Sequence, residues 1–137
     1  MPAEHTYDYA IIRVVPRVDR GEQINVGVIL SCVDTDFLDA RIELDEARLR
    51  ALDAAPDLDA IREGLATITA VCAGGADAGP IGALPPRGRF GWLVSPRSTV
   101  IQTSPVHTGR TSDPAAALER LLETMVRQGT ANSRPRP

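Results

Sequence analysis

The chain has 137 residues, of which 43% are hydrophobic and 24% charged, and its net charge is -3. This length supports one hydrophobic core without disulfides or a metal, and it is too short for two. The acidic excess provides no positive field for a polyanion, and five aromatic residues are too few for a base-stacking platform, which argues against nucleic acid as a partner. All fifteen basic residues are arginine, so a phosphate-binding loop with a lysine is excluded.

No segment reaches the roughly 18 apolar residues that a membrane span needs, and the N-terminal residues lack the apolar core of a signal peptide. We therefore expect a cytoplasmic protein that does not enter a membrane. Cys32 and Cys72 stand apart, with no Cys-x-x-Cys pattern. They predict buried thiols rather than a zinc site or a disulfide, and the sequence indicates no metal or other cofactor.

The first third of the chain predicts three strands. Residues 7–15 are apolar on both faces, which is typical of a central strand covered on two sides, and residues 16–23 have the composition of a turn. Residues 24–33 form the second strand, and residues 37–44 form a third with one polar face. Short connections make these strands an antiparallel meander. Alternation along the second strand predicts one core face, made of Ile24, Val26, Val28, Leu30 and Cys32.

Helices follow. Asp45 begins a short one, and a longer one runs from Asp57 to about Ala73, with apolar residues three and four apart and Gly74 placed to end it. Asp113 as the N-cap and Pro114 as the first helical residue begin the last helix, which Gly129 closes.

Residues 73–88 are rich in Gly, Pro and Ala and predict a mobile surface loop, while residues 90–94 and 99–103 resemble a hairpin. Residues 129–137 predict a disordered tail. The sum is a single α+β domain over residues 1–128, in which two main helices pack on a mainly antiparallel sheet of about five strands.

Polar residues stand at unexpected places in the second strand and the turn before it. Gly27 permits close approach of another group, and Asn25, on the same predicted face, occupies a position where valine is expected. In one interpretation Asn25 caps the turn, and Glu22 pairs with Arg13 or Arg17. In the other, Arg13, Glu22 and Asn25 line a small polar pocket.

Arginines cluster in the same region. If the predicted hairpin brings Arg97 near Arg13 and Arg17, their guanidinium groups can bind a phosphate or carboxylate, although pairing with the acidic residues or exposure to solvent also explains them. The candidate ligand-binding or partner-binding residues are Arg13, Arg17, Arg20, Glu22, Asn25 and Arg97. No catalytic residue is predicted, because His107 has neither a nucleophile elbow nor an acid to orient it.

Three runs of residues resemble a known family: Tyr9-Ala-Ile-Ile-Arg-Val-Val-Pro, Gly21-Glu-Gln-Ile-Asn-Val-Gly-Val-Ile-Leu and Phe90-Gly-Trp-Leu-Val-Ser-Pro-Arg-Ser-Thr-Val-Ile-Gln-Thr-Ser-Pro. They are similar to the bacterial domain-of-unknown-function family 3037, over residues 7–128. The resemblance implies no established activity. It does imply a context, because such proteins resemble small companions encoded beside a HipA-like kinase.

Two functions remain open at this point. The preferred one is a non-enzymatic interaction or accessory module, with a HipA-like kinase as the partner that the family resemblance suggests. The alternative is a ligand-binding protein or enzyme that acts on an anionic small molecule, and it requires a concave pocket that holds Arg13, Glu22 and Asn25.

Overall fold

The computed structural model describes residues 3–97 and 99–127, which form five strands and four helices. The strands are β1 (His5–Val14), β2 (Ile24–Cys32), β3 (Phe37–Ile42), β4 (Ile101–Thr103) and β5 (His107–Thr111). The helices are α1 (Glu46–Leu52), α2 (Leu58–Ala73), α3 (Pro86–Leu93) and α4 (Pro114–Met125), and two 3-10 segments cover Val33–Thr35 and Ala76–Ala83. The predicted helix end at Gly129 and the tail over 129–137 lie outside the described residues.

The strands form one antiparallel sheet in the order β3-β2-β1-β4, and β5 also pairs with β1. Two short strands share the same edge of β1: β4 pairs with residues 12–14 and β5 with residues 5–9. The predicted meander of β1, β2 and β3 is confirmed, with Ile29 opposite both Ala10 and Ala40. The predicted α+β class is likewise confirmed.

Apolar side chains cover both faces of the sheet. On one face α2 and α3 pack over a cluster that includes Ile12, Ile61, Leu65, Phe90 and Leu93. On the other face α4 packs over a smaller cluster, which contains Tyr7, Val28, Leu30, Ala117, Leu118 and Leu122. The prediction that β1 is a central strand covered on two sides is therefore confirmed.

The prediction of a single core face for β2 is wrong, because the strand contains a β-bulge. The ladder pairs Ile12 with Gly27 and Arg13 with Asn25, so Val26 is the extra residue. A bulge reverses the alternation of side chains from that point on. Ile24 and Val26 consequently pack with the α2 cluster, whereas Val28, Leu30 and Cys32 pack with the α4 cluster.

The bulge also separates Asn25 from Gly27, which were predicted to share a face. The Asn25 amide donates to the carbonyl oxygen of Met125, at 3.0 Å, on the α4 side. Gly27 faces the α2 side, where an added Cβ would lie 2.6 Å from the Arg41 carbonyl oxygen and 3.0 Å from Ile12. The predicted close approach at Gly27 is confirmed.

The predicted hairpin over 90–94 and 99–103 is wrong in its first half, because residues 90–93 belong to α3. Pro86 occupies the first turn of this helix, where its missing N–H costs no hydrogen bond. Phe90 and Leu93 are both buried, and their spacing of three places them on one helical face. After the helix, Arg97 donates to the carbonyl oxygens of Trp92 and Leu93, at 2.9 and 3.0 Å.

Residues 73–88 were predicted to be a mobile surface loop without regular structure, but they contain a 3-10 segment and the start of α3 and fold back on α2. The Gly75 N–H donates to the Gly82 carbonyl oxygen, which closes the 3-10 segment. Arg89 reaches back from α3 to the carbonyl oxygens of Leu84 and Cys72, at 2.6 and 3.3 Å. The bond to Cys72 satisfies a carbonyl group that the end of α2 leaves without a helical partner, and the bond to Leu84 joins α3 to the residue that follows the 3-10 segment.

The predicted helix ends elsewhere are confirmed. The Asp45, Asp57 and Asp113 side chains each accept a hydrogen bond from the backbone N–H three residues on. Gly74 ends α2 with a φ of 78°. Strand β5, in contrast, was not predicted.

Candidate functional site

An open groove of about 510 Å³ lies between α2, the end of α3 and strand β4. Its lining is mainly apolar and includes Ala60, Ile61, Gly64, Trp92, Leu93 and Ile101. Its volume lies within the range typical of ligand pockets, roughly 300 to 1,000 Å³. A smaller and more polar hollow, of about 380 Å³, lies between the residues after β3 and the end of α4.

Small residues on α2 create the space. Ala60 and Gly64 are four residues apart and so lie on one face of the helix, with Thr67 one turn further along. Ile101 of β4 packs against Gly64 so closely that an added Cβ would overlap its side chain. The absence of larger side chains at these positions leaves the groove open beside the strand.

Trp92 and Arg97 form part of the rim. The Trp92 side chain is 37% exposed, and it is the only tryptophan in the chain. The Arg97 guanidinium lies over its ring, 4.6 Å from the centroid, in a cation–π arrangement. Because Arg97 also bonds the carbonyl groups at the end of α3, the tryptophan and the arginine are held in fixed positions.

Acidic side chains reach the same groove from the segment before α2. Asp57 accepts a hydrogen bond from the Ala60 N–H as the N-cap of α2, and Asp53 accepts one from the Ala55 N–H. Both residues line the groove. The rim therefore carries charges of both signs around an apolar floor.

The six candidate residues predicted from the sequence do not form one site. The Arg13 Nε donates to Asn25 Oδ1 at 3.3 Å, on the face that α4 covers. Arg97 lines the groove on the opposite face. The structure therefore brings Arg13 and Asn25 together, and it does not bring Arg97 to them.

The turn between β1 and β2 holds the other three residues in local ion pairs. Arg20 pairs with Glu22 at 2.8 Å, and Arg17 pairs with Asp19 at 3.4 Å. The predicted pairing of Glu22 with Arg13 or Arg17 is therefore wrong, because Glu22 pairs with Arg20 instead. All four side chains in these two pairs are about half exposed or more, and such pairs contribute little to stability.

The other side chains that could act as nucleophiles or bases are held in structural contacts or buried. The Ser104 hydroxyl accepts from the Ile11 N–H at 2.8 Å, and the ring of His107 lies 5.4 Å from that of Tyr9. Burial raises the pKa of the Cys72 thiol to about 12, which keeps it protonated and poorly nucleophilic. Within residues 3–97 and 99–127, no group of three or more His, Cys, Asp or Glu side chains is placed to hold a metal ion.

Two weak features of the sequence point to the groove. One is the pair of small residues, Ala60 and Gly64, on a helix whose other exposed positions are mostly polar. The other is Trp92, which was assigned to a strand. Trp92 lies at the rim because residues 86–93 form a helix and not a strand.

A family match covers most of this architecture, from within β1 to the end of α4. A family model described as a protein of unknown function, DUF3037, matches residues 9–126. The chain belongs to the DUF3037 family. The match includes α2, α3 and β4, so every element that builds the groove lies within the DUF3037 region. No curated protein and no solved structure gives a significant match.

None of the helices in the described ranges is long and apolar enough to cross a bilayer.

Proposed function

We propose that this DUF3037 protein is a non-enzymatic interaction module that binds a segment of a partner protein in the groove between α2 and β4. The observation that carries the proposal is the open apolar groove with the partly exposed Trp92 at its rim. Burial of apolar surface is the main driving force of protein association, and exposed aromatic residues beside arginine are typical of binding hot spots.

A HipA-like kinase is the first candidate partner, and a cytoplasmic complex is the setting that we propose. The support for this partner is the family resemblance alone. The groove would present an apolar floor and a charged rim to this partner. Such a surface suits a segment of the partner that carries one or two large apolar side chains.

The groove supports this function better than the anionic-ligand alternative. Arg13 and Asn25 bond each other, Asn25 also bonds the end of α4, and Glu22 bonds Arg20. A ligand at that face would first have to displace these contacts. The groove requires no such rearrangement, because its floor is already open.

A matched pair of variants on α2 tests the proposal. Ala60 is exposed and lines the groove, so Ala60→Phe fills it, whereas Ala66 is exposed on another face of the same helix. We expect the wild type and Ala66→Phe to bind the purified HipA-like kinase from the same host with equal affinity in calorimetry. Ala60→Phe should weaken binding by about tenfold or more, because it occupies the volume that the partner needs.

Equal binding by all three proteins would contradict the groove as the site. Failure of the wild type to bind the kinase would contradict the kinase as partner.

A further inference from the structure

We infer that the occupant of the groove is an extended peptide segment that adds to the open edge of β4 as an additional strand and places a large apolar side chain in the groove. This inference rests on the proposed function and specifies its partner. The geometry points to it because the groove and an unpaired strand edge lie side by side.

The hydrogen bonds of β4 show which of its backbone groups face outward. The Val15 N–H donates to the Val100 carbonyl oxygen, and the Ser104 N–H donates to the Ile11 carbonyl oxygen. In an antiparallel ladder the residues that bond to the neighbouring strand alternate. Residues 100, 102 and 104 therefore face β1, and the backbone groups of Ile101 and Thr103 point to the outer edge.

These outward groups remain available. Among the strands that the structure describes, β4 pairs with β1 alone. The Ile101 carbonyl oxygen accepts from the Thr99 hydroxyl at 2.8 Å, which occupies one outward acceptor. Within residues 3–97 and 99–127, no other group bonds the N–H groups of Ile101 and Thr103 or the Thr103 carbonyl oxygen, so these groups are left for an incoming strand.

The edges of the sheet differ in their protection. The outer strand β3 carries Asp39 and Arg41, and Arg41 forms an ion pair with Glu119 of α4 at 2.9 Å. Charges of this kind discourage pairing with another chain. Strand β4 reads Ile-Gln-Thr and has no charged residue. The sheet edge beside the apolar groove, formed by β4, therefore carries no charge that would discourage pairing.

The rim indicates the side chains that the segment carries. Strand addition supplies affinity through backbone hydrogen bonds and specificity through pockets for alternate side chains. One large apolar residue suits the floor, an acidic neighbour suits Arg97, and a basic neighbour suits Asp53 and Asp57. We therefore expect an apolar residue flanked by one acidic and one basic residue.

Peptide display on the purified full-length chain tests the inference. The probe is a random dodecapeptide library on phage, and enriched peptides are then synthesised and titrated while the fluorescence of Trp92 is recorded. We expect enriched peptides with the charge pattern above and a saturable fluorescence change. Ala60→Phe should weaken their binding about tenfold or more, and Ala66→Phe should leave it within about twofold.

Two further changes test the strand geometry. Thr103→Pro removes one outward N–H without removing a bond to β1, whereas Thr103→Val keeps the N–H and the side-chain shape. We expect Thr103→Pro to weaken binding about tenfold and Thr103→Val to have little effect. N-methylation of single peptide amides should weaken binding only at alternate positions, namely those whose N–H bonds β4. This measurement needs no protein variant, so it also tests the geometry if Thr103→Pro fails to fold.

Peptides that tolerate N-methylation at every position, or that bind Thr103→Pro and Thr103→Val equally, would overturn strand addition while leaving the groove as a binding site. Enriched peptides that bind Ala60→Phe as well as wild type would overturn the inference. Absence of enriched peptides, together with equal kinase binding by Ala60→Phe and wild type, would overturn the inference and the groove together. Kinase binding that Ala60→Phe weakens, without any strand-like peptide, would overturn the inference alone.

Discussion

At the residue scale, Arg87 shows how single side chains join distant parts of this fold. Its guanidinium donates to Asp8 of β1 at 2.7 Å and to the Ser31 hydroxyl of β2 at 3.1 Å. It also lies over the ring of Phe90, 5.1 Å from the centroid. Because Arg87 belongs to α3, these contacts fix the helix that carries the groove rim onto the sheet.

Asp8 is the acidic centre of this network, and its pKa bears on stability. Burial acts to raise the pKa of Asp8, but hydrogen bonds from Thr108 and Arg87, with the charge of Arg87, outweigh it and hold the pKa below the ordinary value of 3.8. A carboxylate with a lowered pKa in the folded state stabilises the fold above its unfolded pKa. This contribution is lost as the pH falls through the folded value.

We therefore predict that Asp8→Asn is less stable than wild type at pH 6, and that the difference shrinks as the pH is lowered from about 5 towards 3. Urea unfolding at a series of pH values measures both proteins. Asp19→Asn, at an exposed ion pair of the β1–β2 turn, is the control and should show little difference at any pH. A gap between Asp8→Asn and wild type that stays constant across this range would refute the role of the charged carboxylate.

Sequence patterns predicted backbone requirements at single residues better than side-chain partners. The close approach at Gly27 follows from what glycine permits, and it is confirmed. The Asn25 amide donates to the Met125 carbonyl oxygen, 100 residues away. No local pattern indicates so distant a contact, and the bulge at Val26 changes the face on which Asn25 lies.

At the scale of elements, local signals succeeded where caps and periodicity agreed. Helices α2 and α4 have an aspartate N-cap and an apolar stripe, and both were predicted. Helix α3 has two glycines and a weak stripe, so the β-forming residues 90–94 favoured a strand. Packing of Phe90 and Leu93 into the core outweighs that propensity.

Strand β5 was missed because its sequence, His-Thr-Gly-Arg-Thr, has no apolar alternation. It forms because β1 offers a long edge. Tyr7 lies opposite Gly109 in the ladder, and an added Cβ at Gly109 would lie 2.5 Å from the tyrosine hydroxyl oxygen. The aromatic ring thus covers the glycine, a pairing that stabilises glycine in edge strands.

The N-cap of α4 provides a prediction for a whole element. Asp113 accepts from the Ala116 N–H at 3.2 Å, so Asp113→Ala should lower the free energy of unfolding by about 1 kcal/mol, measured by urea denaturation. Asp113→Ser retains an acceptor and should lose much less. Because α4 lies on the other side of the sheet from the groove, neither variant should alter peptide binding. Equal stability of Asp113→Ala and wild type would show that this cap does not stabilise the protein.

At the scale of the molecule, the sheet separates two surfaces with different properties. On one face α4 covers β2 and β3, and the contacts of Arg13 and Asn25 are satisfied there. On the other face α2 and α3 diverge beside β4 and leave the groove. The fold class and the meander could be predicted from the sequence. The groove could not, because its walls come from three segments whose relative placement depends on α3.

The most direct test of the account is residue-resolved amide hydrogen exchange on the protein alone and mixed with the HipA-like kinase that we propose as its partner. The N–H groups of Ile101 and Thr103 point to the outer edge of β4, where a bound strand would accept hydrogen bonds from them. We therefore predict that amide exchange at Ile101, at Thr103 and at residues 60–68 of α2 slows markedly in the complex. Protection confined to residues 13–25, with Ile101 and Thr103 unchanged, would contradict the groove and its strand edge as the binding site.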